Sequence, residues 1–135
     1  MPVVVVTRLR LRDPAFLDEF FTAAVAVLEQ AKNSGGNLGA DVLADANNAW
    51  WTLTAWQERD SMKAFVCTEP HLSTMAHLGD WCDEATFVDW EQASEDLPDW
   101  QTSYRRLVAD GQAASLAYAS DAHQSRSFPP PVETP

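Results

Sequence analysis

The sequence predicts an α+β domain of order β-α-β-β-α-β, and two stretches carry the prediction. Residues 3–12 alternate along VVVVTRLRLR at period two, with Val5, Thr7, Leu9 and Leu11 on one face and Val4, Val6, Arg8, Arg10 and Arg12 on the other. Residues 50–90 set a strand, a helix interrupted at a proline and a further strand in close succession, WWTLTAWQERDSMKAFVCTEPHLSTMAHLGDWCDEATFVDW. Period two turning to a three-to-four spacing and back is the signature of strands and helices that share one core.

Asp13 followed by Pro14 starts a helix, since a carboxylate caps the free amides and proline is pre-set for the first position. Phe16, Phe20, Ala24, Val27 and Ala31 then repeat along one face, and Gly35–Gly36 close the segment. Leu38 to Ala46 reads as a second strand, and Asn47–Asn48 as the hairpin turn into a third, Ala49 to Gln57. In the third, Trp50, Thr52, Thr54 and Trp56 oppose Trp51, Leu53 and Ala55; apolar on both faces, it suits a strand covered on both sides. Asp60 or Ser61 caps a short helix through Phe65, Pro70 breaks it at Glu69, and a second part bears His71, Met75 and Leu78. Glu84 to Gln92 is the fourth strand.

This order is that of the ferredoxin-like split βαβ arrangement, a four-stranded antiparallel sheet with both helices on one face. Its other face would be bare and apolar, so a homodimer pairing two sheets is expected. The domain covers residues 1–92. A polar link and a last amphipathic helix with Trp100, Tyr104, Leu107 and Val108 fill residues 93–118, and residues 119–135 read as a flexible proline-rich tail.

A net charge of −11 opposes binding to nucleic acid or to an anionic membrane surface. The first apolar run is only four valines and arginines follow it, the reverse of a secretion signal, so a cytoplasmic location is expected. Cys67 and Cys82 read as reduced thiols, and no metal-ligand spacing or glycine-rich phosphate loop occurs.

His71 is the leading candidate for chemistry. At a helix start the amide groups and helix dipole disfavour imidazolium, and neutral imidazole can act as a base, ligate a haem iron or hydrogen-bond a substrate. Met75 shares its face and reads as cavity lining; His77 points elsewhere, to solvent, and His123 lies in the tail. Trp50 and Trp56 present flat rings on one side of a strand, suited to a planar ligand or to core filling. Arg8 and Arg10 either pair across strands with Asp89 or Glu91, or anchor an oxyanion of a ligand.

WTLTAW, an acidic link, AF, then PH and later WCDEATFVDW resemble the dimeric α/β-barrel superfamily of the antibiotic biosynthesis monooxygenases, and within it a bacterial branch related to spheroidene monooxygenase. The resemblance spans residues 1–92. It implies a homodimeric monooxygenase acting on a hydrophobic aromatic or polyene molecule without a cofactor. It matches Trp56, Phe65 and His71 to the strand-end aromatic, helix aromatic and helix histidine of such proteins. Substrate would contact Trp50, Trp56, Phe65, Met75 and Arg8, with His71 as the catalytic base. The alternatives are a haem-dependent oxygenase or dehydratase, with His71 as iron ligand, and a non-catalytic dimeric binding protein. The asparagine that haem-degrading members carry near the first strand has no counterpart in TRLRLR.

Overall fold

A computed structural model describes residues 1–46, 48–125 and 127–132. Its centre is an antiparallel sheet of β1 (Val3–Leu11), β2 (Asn37–Asp45), β3 (Ala49–Trp56), β4 (Cys82–Glu91) and a two-residue β5 (Gln112–Ala113), in the order β2-β3-β1-β4-β5. The ferredoxin-like α+β class follows from this topology: β1 pairs with both β3 and β4, so the two halves of the chain interleave. The fifth strand, pairing with Thr86 and Phe87, exceeds the four expected.

Helix α1 (Leu17–Lys32), preceded by a single 3-10 turn at Pro14–Phe16, and helices α2 (Arg59–Val66) and α3 (His71–Trp81) cover one face of the sheet. Asp13 accepts from the Ala15 amide at 2.8 Å, as its capping position requires. Gly36 turns the chain into β2 with a φ of +82°, and a Cβ there would overlap the Ser61 side chain. Asn48 carries the left-handed residue of the β2–β3 turn, φ 64°. Asn47, expected beside it, lies outside the described residues. On this face Val5, Thr7 and Leu9 of β1 share the surface with Thr52, Thr54 and Trp56 of β3, because residues paired across strands point the same way.

The opposite face, expected to be bare, is covered by residues of the chain itself. Val4, Val6, Trp51, Leu53, Ala55, Val88 and Trp90 form the largest buried cluster, and the chain's own Leu97, Trp100, Tyr104, Leu107 and Phe128 pack onto it. Helix α4 (Trp100–Asp110) stops at Gly111, well before the expected Tyr118. Its cap is Asp99, which accepts from the Thr102 amide at 2.7 Å. The tail is also structured where it is described. Helix α5 (Asp121–Ser125) buries His123, whose Nδ1 accepts from the Ala85 amide at 3.2 Å while Nε2 donates to the Ala114 carbonyl at 2.8 Å. Val132 is tied to the β2–β3 turn through Asp45 and Ala46. Arg126 and residues 133–135 lie outside the described residues.

The expected arginine pairs shift as well. Antiparallel register sets Val5 opposite Asp89 and Arg10 opposite Glu84, so Arg8 reaches Glu84 at 3.4 Å and Arg10 reaches Asp83 at 3.1 Å. Asp89 instead binds Arg59 at 2.9 Å. No helix among the described residues is long and apolar enough to cross a membrane.

Candidate functional site

Between the sheet and its helices lies a cavity of about 130 Å³. Val5, Thr7 and Leu9 with Thr52, Thr54 and Trp56 form its floor, and α1, α2 and α3 close over it. An apolar cavity of roughly 150 Å³ is enough to hold a benzene ring. The space is close to that size, and it opens outward at one edge beside Met75, which is about half exposed.

Three rings line up along one wall. Trp56 stacks on Phe65 with centroids 4.9 Å apart and planes 30° apart, and Phe65 meets the His71 ring at 4.7 Å. The Trp56 indole N–H donates to Thr54 Oγ1 at 3.0 Å, which fixes the indole and leaves the threonine hydroxyl hydrogen for another acceptor. Thr7 and Thr52 sit directly opposite each other across β1 and β3. They bring further hydroxyls to the floor of a mostly apolar space, whose lining also includes Asp41 and Thr74.

The position of His71 follows from the end of α2. The last carbonyls of a helix lack intrahelical partners, and the Val66 carbonyl finds one in His71 Nδ1 at 3.1 Å. A carbonyl only accepts, so Nδ1 carries the hydrogen and Nε2 keeps the lone pair. The His71 amide donates to Gln30 Oε1 at 2.8 Å, and Gln30 Nε2 donates to the Phe65 and Thr68 carbonyls at 3.1 Å each. Gln30 thus bolts the α2–α3 corner to α1. Burial pushes the His71 pKa below its ordinary 6.5, and the bond to Val66 offsets part of that. Desolvation is a larger cause than the sequence could show, because the covering helices come from elsewhere in the chain.

The site thus unites Trp56, Phe65, His71 and Met75. Two other candidates lie apart from it. Trp50 packs on Phe20 at 5.6 Å and Phe21 at 6.2 Å, beyond the cavity lining. Arg8 is on the opposite sheet face, 2 % exposed, beneath Phe128 at 5.0 Å. Gln30 escaped sequence reasoning, since nothing in a helical glutamine announces a tertiary clamp.

Haem does not fit this site. At about 130 Å³ the space falls short of the ~300–1,000 Å³ of pockets that bury larger ligands. No lysine or arginine lines the cavity, so the two propionates would have no permanently cationic partner. No group of three His, Cys, Asp or Glu side chains among the described residues is placed to hold a metal ion.

Residues 2–77 match the antibiotic biosynthesis monooxygenase family, more than half of the chain. The chain belongs to that family. Solved structures of the same fold include Rv0793 from Mycobacterium tuberculosis, at 16% identity and a TM-score of 0.62, covering 70% of this chain and 100% of that one. SnoaB, a cofactor-independent oxygenase from Streptomyces nogalater, aligns at 14% identity and a TM-score of 0.57, covering 73% and 98%. A conserved protein from Methanosarcina mazei Go1 aligns at 15% identity and a TM-score of 0.61, covering 68% and 93%. At these identities the solved structures establish the fold and nothing finer. No curated protein matches the sequence.

Proposed function

We propose that this family member is a cofactor-independent monooxygenase of small hydroxylated aromatic molecules, with His71 as general base. The observation that carries the reading is the orientation of His71. Its Nδ1 is committed to Val66, and its Nε2 is the basic nitrogen of a ring that lines a cavity sized for one aromatic ring. The name of SnoaB, a cofactor-independent oxygenase, describes that protein and lends support by fold alone.

The ligand ring would lie against Trp56 and Phe65, with its hydroxyl at His71 Nε2 and a threonine hydroxyl available to a second oxygen. Proton transfer to Nε2 leaves an electron-rich arenolate, which can pass an electron to O₂ without help from a cofactor. Recombination forms a carbon–oxygen bond at ring carbon. The O–O bond then breaks as the ring C–H proton leaves; one oxygen stays as the quinone carbonyl, and the other departs as water after taking two protons. One arenol and one O₂ give one quinone and one water. The mostly apolar walls, with the bound ring filling the space between them, would limit access of bulk water to the intermediate.

The small volume, about 130 Å³, supports the aromatic substrate over the polyene alternative and over the branch related to spheroidene monooxygenase, since a long polyene needs more space than this. The homodimer does not enter this reading. The competing reading is a non-catalytic binding protein, because a ring pocket binds whether or not it reacts.

Oxygen uptake and quinone formation with one- and two-ring hydroxyarenes test the proposal, with affinity read separately from quenching of tryptophan emission. His71→Ala is expected to lower turnover ~10²- to 10⁴-fold, the range for loss of a general base, while affinity changes by only a few-fold. Binding without oxygen uptake in the unsubstituted protein across the panel would establish the binding-protein reading instead.

A further inference from the structure

We propose that Gln30 is the positioning residue of His71: its side-chain amide, reaching from α1 into the α2–α3 corner, decides which ring nitrogen carries the hydrogen and which is left basic. Its bearing on catalysis rests on the reading of His71 as general base; its bearing on the ring does not. The corner needs such a group because of how the two helices meet. A helix closes on carbonyls with no intrahelical amide to accept from, and the next one opens on amides with no carbonyl behind them. The first amide of α3 is that of His71 itself, and it donates to Gln30 Oε1 at 2.8 Å.

Gln30 Nε2 donates to the Phe65 carbonyl in the last turn of α2 and to the Thr68 carbonyl in the link, at 3.1 Å each. An N–H only donates and a carbonyl only accepts, so the group between these three must accept once and donate twice. Glutamine does both. A glutamate in its place would keep the acceptor and lose both donors, and a lysine would keep donors and lose the acceptor.

These bonds act on the ring because both groups that hold the ring belong to the end of α2. Nδ1 lies 3.1 Å from the Val66 carbonyl, and the ring meets that of Phe65 at 4.7 Å. Gln30 fastens the Phe65 backbone on one side and the His71 backbone on the other, so the ring and its acceptor are kept in register from a third helix. Which imidazole nitrogen carries the hydrogen is set by the bond that the ring makes, and a ring released from its acceptor takes up both tautomers. With hydrogen on Nε2, that nitrogen could no longer accept a proton from a ligand.

The test is the long-range ¹H–¹⁵N spectrum of the His71 ring in the full chain at a pH of about 8, where a ring of ordinary pKa is neutral. The unsubstituted protein should show its hydrogen on Nδ1. Gln30→Met keeps the length and helix propensity of the side chain but removes all three bonds, and its His71 ring should populate both tautomers. A variant ring that keeps its hydrogen on Nδ1 as completely as the parent would overturn the proposal, whatever the variant's stability. In oxygen uptake with hydroxyarenes the same variant should lose ~10- to 100-fold in kcat with KM changed by less than about threefold, the mark of a misplaced group in an intact pocket. Tautomer loss in Gln30→Met beside an unsubstituted protein that consumes no oxygen would uphold the positioning role and sink the monooxygenase reading. Where Gln30→Met does not fold, the unsubstituted protein still decides. Both side-chain amide hydrogens of Gln30 should exchange with solvent at least ~tenfold more slowly than those of the exposed Gln101, and equal rates would refute the clamp.

Discussion

A base has to stay unprotonated at working pH, and His71 is held so mainly by burial. Its folded pKa is lowered from 6.5, so between the two values the unfolded chain binds more protons than the folded one. The contribution of His71 to stability is therefore full above 6.5 and is lost as pH falls through that value toward the folded pKa. Catalysis follows the same sign. For the proposed reaction, kcat/KM should hold its plateau from pH 8 down past 6.5 and fall only on a limb below it. His71→Ala should lack that limb, and a wild-type limb centred above 6.5 would contradict the buried neutral ring. Arg8 poses the opposite problem, a buried charge that Glu84 reaches at 3.4 Å and whose Nε has no hydrogen-bond partner among the described residues. Burial lowers its pKa, and Glu84 works against that shift. Glu84→Gln is expected to destabilise by about 3 kcal/mol in urea denaturation, the cost of orphaning a buried charge. Replacing both, as Arg8→Met/Glu84→Leu, should recover most of it; failure to recover would mean that the pair itself stabilises the sheet.

At the scale of elements, what the sequence disclosed was local and what it concealed was tertiary. Alternation assigned the side chains of β1 as far as Arg10 and those of β3 to their faces, because strand period and pleat are properties of the backbone. β1 shifts register between Arg10 and Leu11, and Arg12 lies beyond the strand. Asp13–Pro14, Gly36 and Pro70 marked ends and breaks through steric limits that act within a few residues. The order βαββαβ then gave the fold. Which face held the cavity was another matter. Arg8 follows from its alternation with Val4 and Val6, yet alternation cannot say that the helices lie on the Thr7 side. Trp50 shares a face with Trp56, but the phenyl rings of α1 claim it. His71 was visible as a histidine at a helix start; its orientation depends on the Val66 carbonyl and on Gln30, forty-one residues away in the chain. The last third was least legible. Tyr104 and Leu107 showed an apolar stripe without showing what it covers. Residues near Phe128 have no periodicity at all, since they are held by side-chain contacts with the sheet and form no long element of their own.

For the whole molecule, one sheet separates two layers with different tasks: the helices roof a cavity, and the C-terminal segment seals the opposite face. If the sheet insulates them, damage to one layer should leave the other's property intact. Leu107 is 2 % exposed in the sealing layer, and Leu107→Ala is expected to cost ~2–5 kcal/mol of stability through the cavity it leaves. Affinity for a hydroxyarene, measured well below the unfolding transition, should change by less than about twofold, because separated sites add nearly independently. Ala24 lines the ligand cavity from α1, and Ala24→Phe puts a ring where the ligand ring would sit. Its stability should change by less than ~3 kcal/mol, the usual range for overpacking, while affinity falls at least tenfold. Side-by-side urea denaturation and ligand titration of the two variants check this crossed pattern. If Leu107→Ala weakens binding as much as Ala24→Phe, the sheet transmits strain between its faces, and the sealing segment tunes the cavity as well as covering the core.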